Sequence, residues 1–244
     1  MTTPDVIQGA NVLVTGSNRG LGKALVDEAL RRGASRVFAG SRHPAPPHPD
    51  GRVTQLRLDV TDAQQIEEAV RGVPTLDVLV NNAGVGTFED SIDVASLERH
   101  LSVNLFGTLK VTQAFTPHLS ARRGLVVNVS SVVAIAALPV MPSYSISKAA
   151  ALSLTQAQRA TLRGLGVGVY AVLAGPIDTD MSRNIPLAKA SPADVARAIF
   201  DGVDDGQEEI FPDALSAGLE AGWNAGIVKA LEQENAKYLD GSAA

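Results

Sequence analysis

The sequence has no cysteine, which excludes disulfides, thiolate nucleophiles and cysteine-held zinc. Aromatic residues are scarce as well, at 4% of 244 residues against 45% hydrophobic residues in all. A core drawn mainly from Ala, Val, Leu and Ile suits the continuous apolar strands of a parallel sheet covered on both faces. Basic residues are outnumbered, 21 Lys and Arg against 26 Asp and Glu, leaving a net charge of −5. That balance argues against a nucleic-acid or anionic-membrane partner and still allows a local basic pocket. No apolar run approaches the roughly 18–20 residues that span a bilayer. The first ten residues lack the basic and apolar segments of a secretory signal, so a cytoplasmic protein is expected. Histidines stand at 43, 48, 100 and 118 without ligand spacing, and no metal site is expected.

Apolar, β-branched runs alternate with helical stretches along the whole chain. Strands are expected at 11–15, 36–41, 53–58, 76–81, 124–130, 167–173 and 208–212. Helices are expected at 19–32, 62–71, 93–117, 143–164, 192–203 and 215–238. This alternation predicts an α/β, doubly wound Rossmann fold: a seven-stranded parallel sheet with helices on both faces. Thr61 and Gln64 have capping-box spacing. Ser191-Pro-Ala-Asp194 combines an N-cap, a proline at the first helical position and an acid at the positive helix end. No repeat or linker divides the chain, so residues 1–244 read as one domain. His43-Pro-Ala-Pro-Pro-His-Pro49 cannot be helical and reads as a stiff loop after the second strand.

Three strings carry chemistry. Val12-Leu-Val-Thr15 reads as a strand entering Gly16, with further glycines at 20 and 22. Such a turn lets backbone approach a pyrophosphate, and the helix that follows aims its free N–H groups and dipole at the same place. Its spacing is G-x-x-x-G-x-G rather than the commoner G-x-G-x-x-G. Asn81-Asn-Ala-Gly84 closes the fourth strand. Tyr144-Ser-Ile-Ser-Lys148 places a phenol and an ammonium one helical turn apart on one face. A tyrosine, with an ordinary pKa of about 10, can protonate an alkoxide near neutrality only if that pKa falls, and Lys148 is placed to lower it. Ser131, at the end of the fifth strand, can donate to a carbonyl and stabilise developing charge. Asn104 lies mid-helix on the face of Leu97 and Leu101 and needs a buried partner.

Taken together, these motifs are similar to those of the short-chain dehydrogenase/reductase family, and they cover residues 12 to 181. The resemblance implies a catalytic set of Asn104, Ser131, Tyr144 and Lys148. Asn104 would find its partners in a backbone carbonyl and a water leading toward Lys148, and Tyr144 and Lys148 would also touch the nicotinamide ribose. It implies that Gly16, Ser17, Asn18, Arg19, Gly20 and Leu21 hold the phosphates. Ser41 and Arg42 would face the adenosine ribose, Asp59 and Val60 the adenine, and Asn82, Ala83 and Gly84 the middle of the cofactor. Gly175, Ile177 and Thr179 would meet the carboxamide and pyrophosphate; Ala174 stands where the family usually has proline, and Pro176 is displaced.

No acid follows the second strand, as NAD-selecting enzymes commonly require. Arg19 and Arg42 would converge on that corner instead and suit a 2′-phosphate, so NADP(H) is expected in preference to NAD(H). A short lid at about 180–191 would cover the substrate. Ser131, Val133, Met141, Tyr144, Pro176 and Met181, with Val85, Leu138 and Val140, would line a mainly apolar pocket for a modest-sized ketone or aldehyde with little charge. The helices near 93–117 and 143–164 resemble the family's dimer bundle, so a homodimer or homotetramer is expected. Two other readings stay open on the same fold: a non-catalytic NADP-binding sensor, and an epimerase or dehydratase using the same tyrosine.

Overall fold

The computed structural model describes residues 5–43, 46–89 and 91–236. Within them the apolar runs form β1 (Asn11–Thr15), β2 (Arg36–Ser41), β3 (Val53–Arg57), β4 (Val78–Asn81), β5 (Leu125–Val129), β6 (Gly168–Val172) and β7 (Glu209–Ile210). All pair in parallel in the order β3-β2-β1-β4-β5-β6-β7. Strand order reverses between β1 and β4, and a ligand crevice is expected outside the carboxyl ends there. Alternate residues of β1 serve opposite layers. Val12 and Val14 pack with Leu25, Ile199 and Phe200 on one face; Leu13 packs with Leu79, Phe115 and Leu119 on the other.

The first layer holds α1 (Gly20–Arg31) and α6 (Pro192–Asp204); the second includes α2 (Ala63–Gly72) and α4 (Thr108–Arg122). Ser191 caps α6 as expected, its Oγ accepting from the Asp194 N–H at 3.1 Å. The expected Thr61 cap of α2 is not the one used. Asp62 accepts from the N–H groups of Gln64 and Gln65, while Thr61 Oγ1 donates to Asp59 at 2.7 Å. A carboxylate one residue nearer the helix outcompetes the hydroxyl.

The helix expected at 93–117 is α3 (Val94–Leu101), a π-helical stretch over Ser102–Gly107, and α4, which continues past Pro117 to Arg122. Arg123 ends it in the left-handed region, with φ 50°. Next comes α5 (Pro142–Arg163), which starts at the proline. The single helix expected at 215–238 is divided into α7 (Ala214–Ala217), α8 (Glu220–Asn224) and α9 (Ile227–Ala236). Gly218 caps the first of these and Gly226 stands between the other two; residues 237 and 238 lie outside the described residues. Among the described residues, no helix is long and apolar enough to cross a membrane.

Candidate active site

A cleft of about 860 Å³ opens at the carboxyl ends of the strands. At one end, Gly16 adopts φ +67°, and a Cβ there would lie 2.8 Å from the Ala83 Cα. Gly22 is tighter still: a Cβ would meet the Gly16 carbonyl oxygen at 2.1 Å. The glycine spacing is thus enforced by turn, helix and β4 loop packing together. Thr15 Oγ1 accepts from the N–H groups of Asn82 and Ala83, both at 3.0 Å, and Asn82 Nδ2 donates to the carbonyls of Thr15 and Gly16. Below them, Asn81 Nδ2 donates to Asn128 Oδ1, and Asn128 Nδ2 to Gln158 Oε1, both at 2.9 Å. This buried amide ladder carries β4 and β5 to α5.

Tyr144 and Lys148 stand one turn apart on α5 and, with Ser131 after β5, face the same cleft. Lys148 Nζ donates to the Val129 carbonyl at 2.7 Å and lies 5.7 Å from the centroid of the Tyr144 ring. Ser131 Oγ donates to the Ala174 carbonyl at 3.0 Å. Burial pushes the Tyr144 phenol up to about 12, a rise opposed by its hydrogen bond with Ser131. Burial also pulls the Lys148 ammonium down to about 8. The expected lowering of the phenol by the lysine is therefore not found here. The ammonium is directed at a backbone carbonyl, and desolvation dominates the phenol.

Asn104 is buried behind the cleft wall. Its Oδ1 accepts from the Val85 N–H, and its Nδ2 donates to the Val85 carbonyl and to Ser147 Oγ at 2.8 Å. These bonds supply the partners a buried amide needs, and they tie the loop after β4 to the middle of α5.

The cleft brings together nearly all the residues singled out from sequence: Gly16, Asn18, Arg19, Gly20 and Leu21; Ser41, Arg42, Asp59 and Val60; Asn82, Ala83 and Gly84; Gly175, Ile177 and Thr179. Ser17 is apart from them, buried with its Oγ donating to the Gly40 carbonyl at 3.1 Å. Arg19 crosses the cleft to Asp180, 2.8 Å away, whereas Arg42 makes no ion pair among the described residues. Val85, Val133, Leu138, Met141, Pro176 and Met181 line the other end; Val140 faces outward.

Ile185, Leu187 and Leu215 also line the cleft and were not anticipated. Nor was Asp213, whose Oδ2 accepts from the Gly175 N–H at 2.7 Å while its Oδ1 caps α7. The signal for it was available in Asp213-Ala-Leu-Ser216, which has capping-box spacing. Among the described residues, no group of three or more His, Asp or Glu is arranged to hold a metal.

Residues 10–190 match the family described as short chain dehydrogenase. Short-chain dehydrogenase PC-15 of Penicillium crustosum is 39% identical over 180 residues, 69% of this chain. That match spans 66% of the Penicillium protein, just under two thirds of its length. The 3-oxoacyl-(acyl-carrier-protein) reductase FabG of Thermotoga maritima is 36% identical over 197 residues, 74% of this chain and 79% of its own. Among solved structures, a short chain dehydrogenase from Burkholderia cenocepacia J2315 in complex with NADP has a TM-score of 0.85 at 36% identity. The alignment covers 93% of this chain and 98% of that one.

Proposed function

The chain belongs to the short-chain dehydrogenase family, and on that footing we propose that it is an NADP(H)-dependent oxidoreductase acting on a carbonyl/alcohol pair, in the direction of ketone or aldehyde reduction. The observation that carries this reading is the convergence of Ser131, Tyr144 and Lys148 on the cleft that starts at the glycine turn. A binding-only protein has no need of a proton donor held in this way.

The residues fit the cofactor. The turn at Gly16 leaves room where a Cβ would collide, and a Cβ on Gly84 would sit 3.3 Å from Asn104 Oδ1 and 3.7 Å from Lys148 Nζ. Gly16, Asn18, Gly20 and Leu21 would hold the pyrophosphate at the start of α1. Asp59 and Val60 would take the adenine, and Gly175, Ile177 and Thr179 the carboxamide side. Arg42, exposed and unpaired among the described residues, would bind the 2′-phosphate through charge-assisted bonds. An NADP complex of a 36% identical structure supports the same choice. When bound, the reduced cofactor supplies the hydride.

This chain's own residues handle the proton. Ser131 Oγ turns its hydrogen from the Ala174 carbonyl to the substrate oxygen and stabilises charge as it develops. Tyr144 delivers the proton to that oxygen. Its pKa must fall from about 12 to do so, and the Lys148 ammonium one turn away is the charge available to lower it. Asn104 fixes the loop and the helix. In this proposal it also anchors a water leading toward Lys148. Assembly as a homodimer or homotetramer through α4 and α5 is part of the proposal, and it draws support from the exposed Phe106 and Ile146. No metal, nucleic acid or membrane enters the scheme.

NADPH oxidation at 340 nm against ketones, aldehydes and quinones, with NADH in parallel, tests this reading. Turnover with NADPH supports it. NADPH binding with no turnover across the panel favours the sensor instead.

A further inference from the structure

The end of the cleft beyond Tyr144 is walled by Val133, Leu138, Met141, Met181, Leu187 and Leu215. Three of these are also open to solvent: Met181 is 41% exposed, Leu187 54% and Leu215 43%. Apolar side chains that both line a cleft and reach solvent form a rim. Apolar side chains exposed at the mouth of a cleft gain from burial against an apolar ligand.

The charges around that rim are paired, Asp180 holding both Arg19 and Arg183. Lys148 is the lining cation at this end, and it is bonded to the Val129 carbonyl. Asp178 and Asp180 stand at the edge, and the nearby Arg183 is paired with Asp180. A substrate carboxylate or phosphate would lose its water against a mainly apolar wall beside arginines that Asp180 already holds.

Gly86 packs close behind this end of the cleft. A Cβ there would lie 3.1 Å from Tyr144 Cδ2, 3.2 Å from Met181 Sδ and 3.3 Å from Met141 Cε. One missing methyl thus separates the phenol from two flexible thioethers, side chains that adapt to irregular apolar shapes. We propose that the substrate is a bulky, uncharged apolar carbonyl compound, larger than the modest-sized one the sequence suggests. Its carbonyl would sit at Ser131 and Tyr144, and its hydrocarbon part would run past Leu138 and Met141 onto the Met181–Leu187–Leu215 rim. This inference rests on the reductase reading above.

The test uses the full chain loaded with NADPH and a series of 2-alkanones from 2-butanone to 2-undecanone, with 2-oxo acids of matching length. Binding is read from the change in NADPH fluorescence, turnover from absorbance at 340 nm. Affinity should rise roughly threefold per added methylene over at least the first several, as burial of each group in a half-open apolar site predicts. The 2-oxo acids should bind on the order of 100-fold more weakly than the ketones of equal length. Leu187→Asn should flatten the dependence on length, and Gly86→Ala should penalise the long ketones more than the short ones. Turnover without dependence on length, or a preference for the oxo acids, overturns the inference and leaves the reductase reading standing. Affinity that climbs with length while no ketone is reduced overturns the reductase reading and the substrate assignment with it, and leaves an apolar binding site alone. Ketones that neither bind nor react overturn both.

Discussion

Arg19 and Asp180 meet across the mouth of the cleft, guanidinium Nη1 to carboxylate Oδ2 at 2.8 Å, and so join the glycine turn to the segment after Thr179. Thr179 reinforces the joint, since a Cβ on Gly20 would lie 2.9 Å from its methyl. Both charged side chains are exposed, so the pair contributes little stability by itself. Its interest lies in competition, because the carboxylate occupies a cation that a 2′-phosphate would also seek. Asp180→Asn should therefore tighten NADPH binding by about two- to fivefold and leave NADH nearly unchanged, the difference shrinking at high salt. Fluorescence titrations with both cofactors at two ionic strengths check this. Equal shifts for the two cofactors would assign Asp180 to that joint alone.

Arg42 is the cation left unpaired at the ribose corner among the described residues. Replacing it by an acid removes charge-assisted bonds to the phosphate and offers an acceptor to a ribose hydroxyl. Arg42→Asp should lower the NADPH-to-NADH ratio of kcat/KM by about tenfold or more. An unchanged ratio would remove Arg42 from the phosphate site.

Gly22 makes a prediction about stability that no cofactor assignment affects. A Cβ would stand 2.1 Å from the Gly16 oxygen and 2.5 Å from Asn82 Nδ2, so turn and loop must both give way. Gly22→Ala should cost about 3 kcal/mol, lowering Tm by roughly 6–12 °C in a chain of this size. A thermal melt within about 1 °C of the parent would show that the turn yields easily.

The cofactor-free protein should also show Lys148 in its pH dependence. Burial holds the ammonium at about 8 rather than 10.5. Both folded and unfolded chains carry that proton at neutral pH, and the burial penalty is then complete. As pH rises through 8 toward 10.5, the folded chain loses the proton first, so this group's penalty is relieved and stability gains. Denaturation of the parent and Lys148→Met between pH 7 and 9.5 isolates the effect. The parent should gain on the variant by about 1 kcal/mol per pH unit above 8. A constant difference would mean that the lysine keeps its ordinary pKa.

Strand positions were legible because β-branched runs repeat at the spacing of one domain, and all seven expected strands have a counterpart within the described residues. That the glycine turn, Asn82–Gly84, Ser131, Tyr144 and Lys148 face one cleft was legible through helical spacing and the family resemblance together. What escaped depends on contacts distant in sequence. Asp213 reaches Gly175 across 38 residues, and nothing local announces that bond. Leu187 and Leu215 look like any apolar residue until the segment after Thr179 and α7 place them over one cleft. The π-helical stretch at Ser102–Gly107 has no period of its own to read, although it is where Asn104 turns inward. Even the cap of α2 was a local contest between Thr61 and Asp62 that the side chains could settle either way. The direction of the lysine ammonium escaped for a similar reason. Spacing places Lys148 near Tyr144, but the Val129 carbonyl decides where the ammonium points.

The central claim is hydride transfer to a carbonyl held at Ser131 and Tyr144. Its most direct measurement is single turnover of a long-chain 2-alkanone with NADPH deuterated at the transferring position of C4, in the parent and in Tyr144→Phe. The account predicts one deuterium on the carbinol carbon of the parent's product. It predicts a rate at least about 100-fold lower for the variant, with NADPH binding within about twofold, as expected when only the proton donor is lost. Alcohol formed without deuterium, or a Tyr144→Phe variant as fast as the parent, would contradict it.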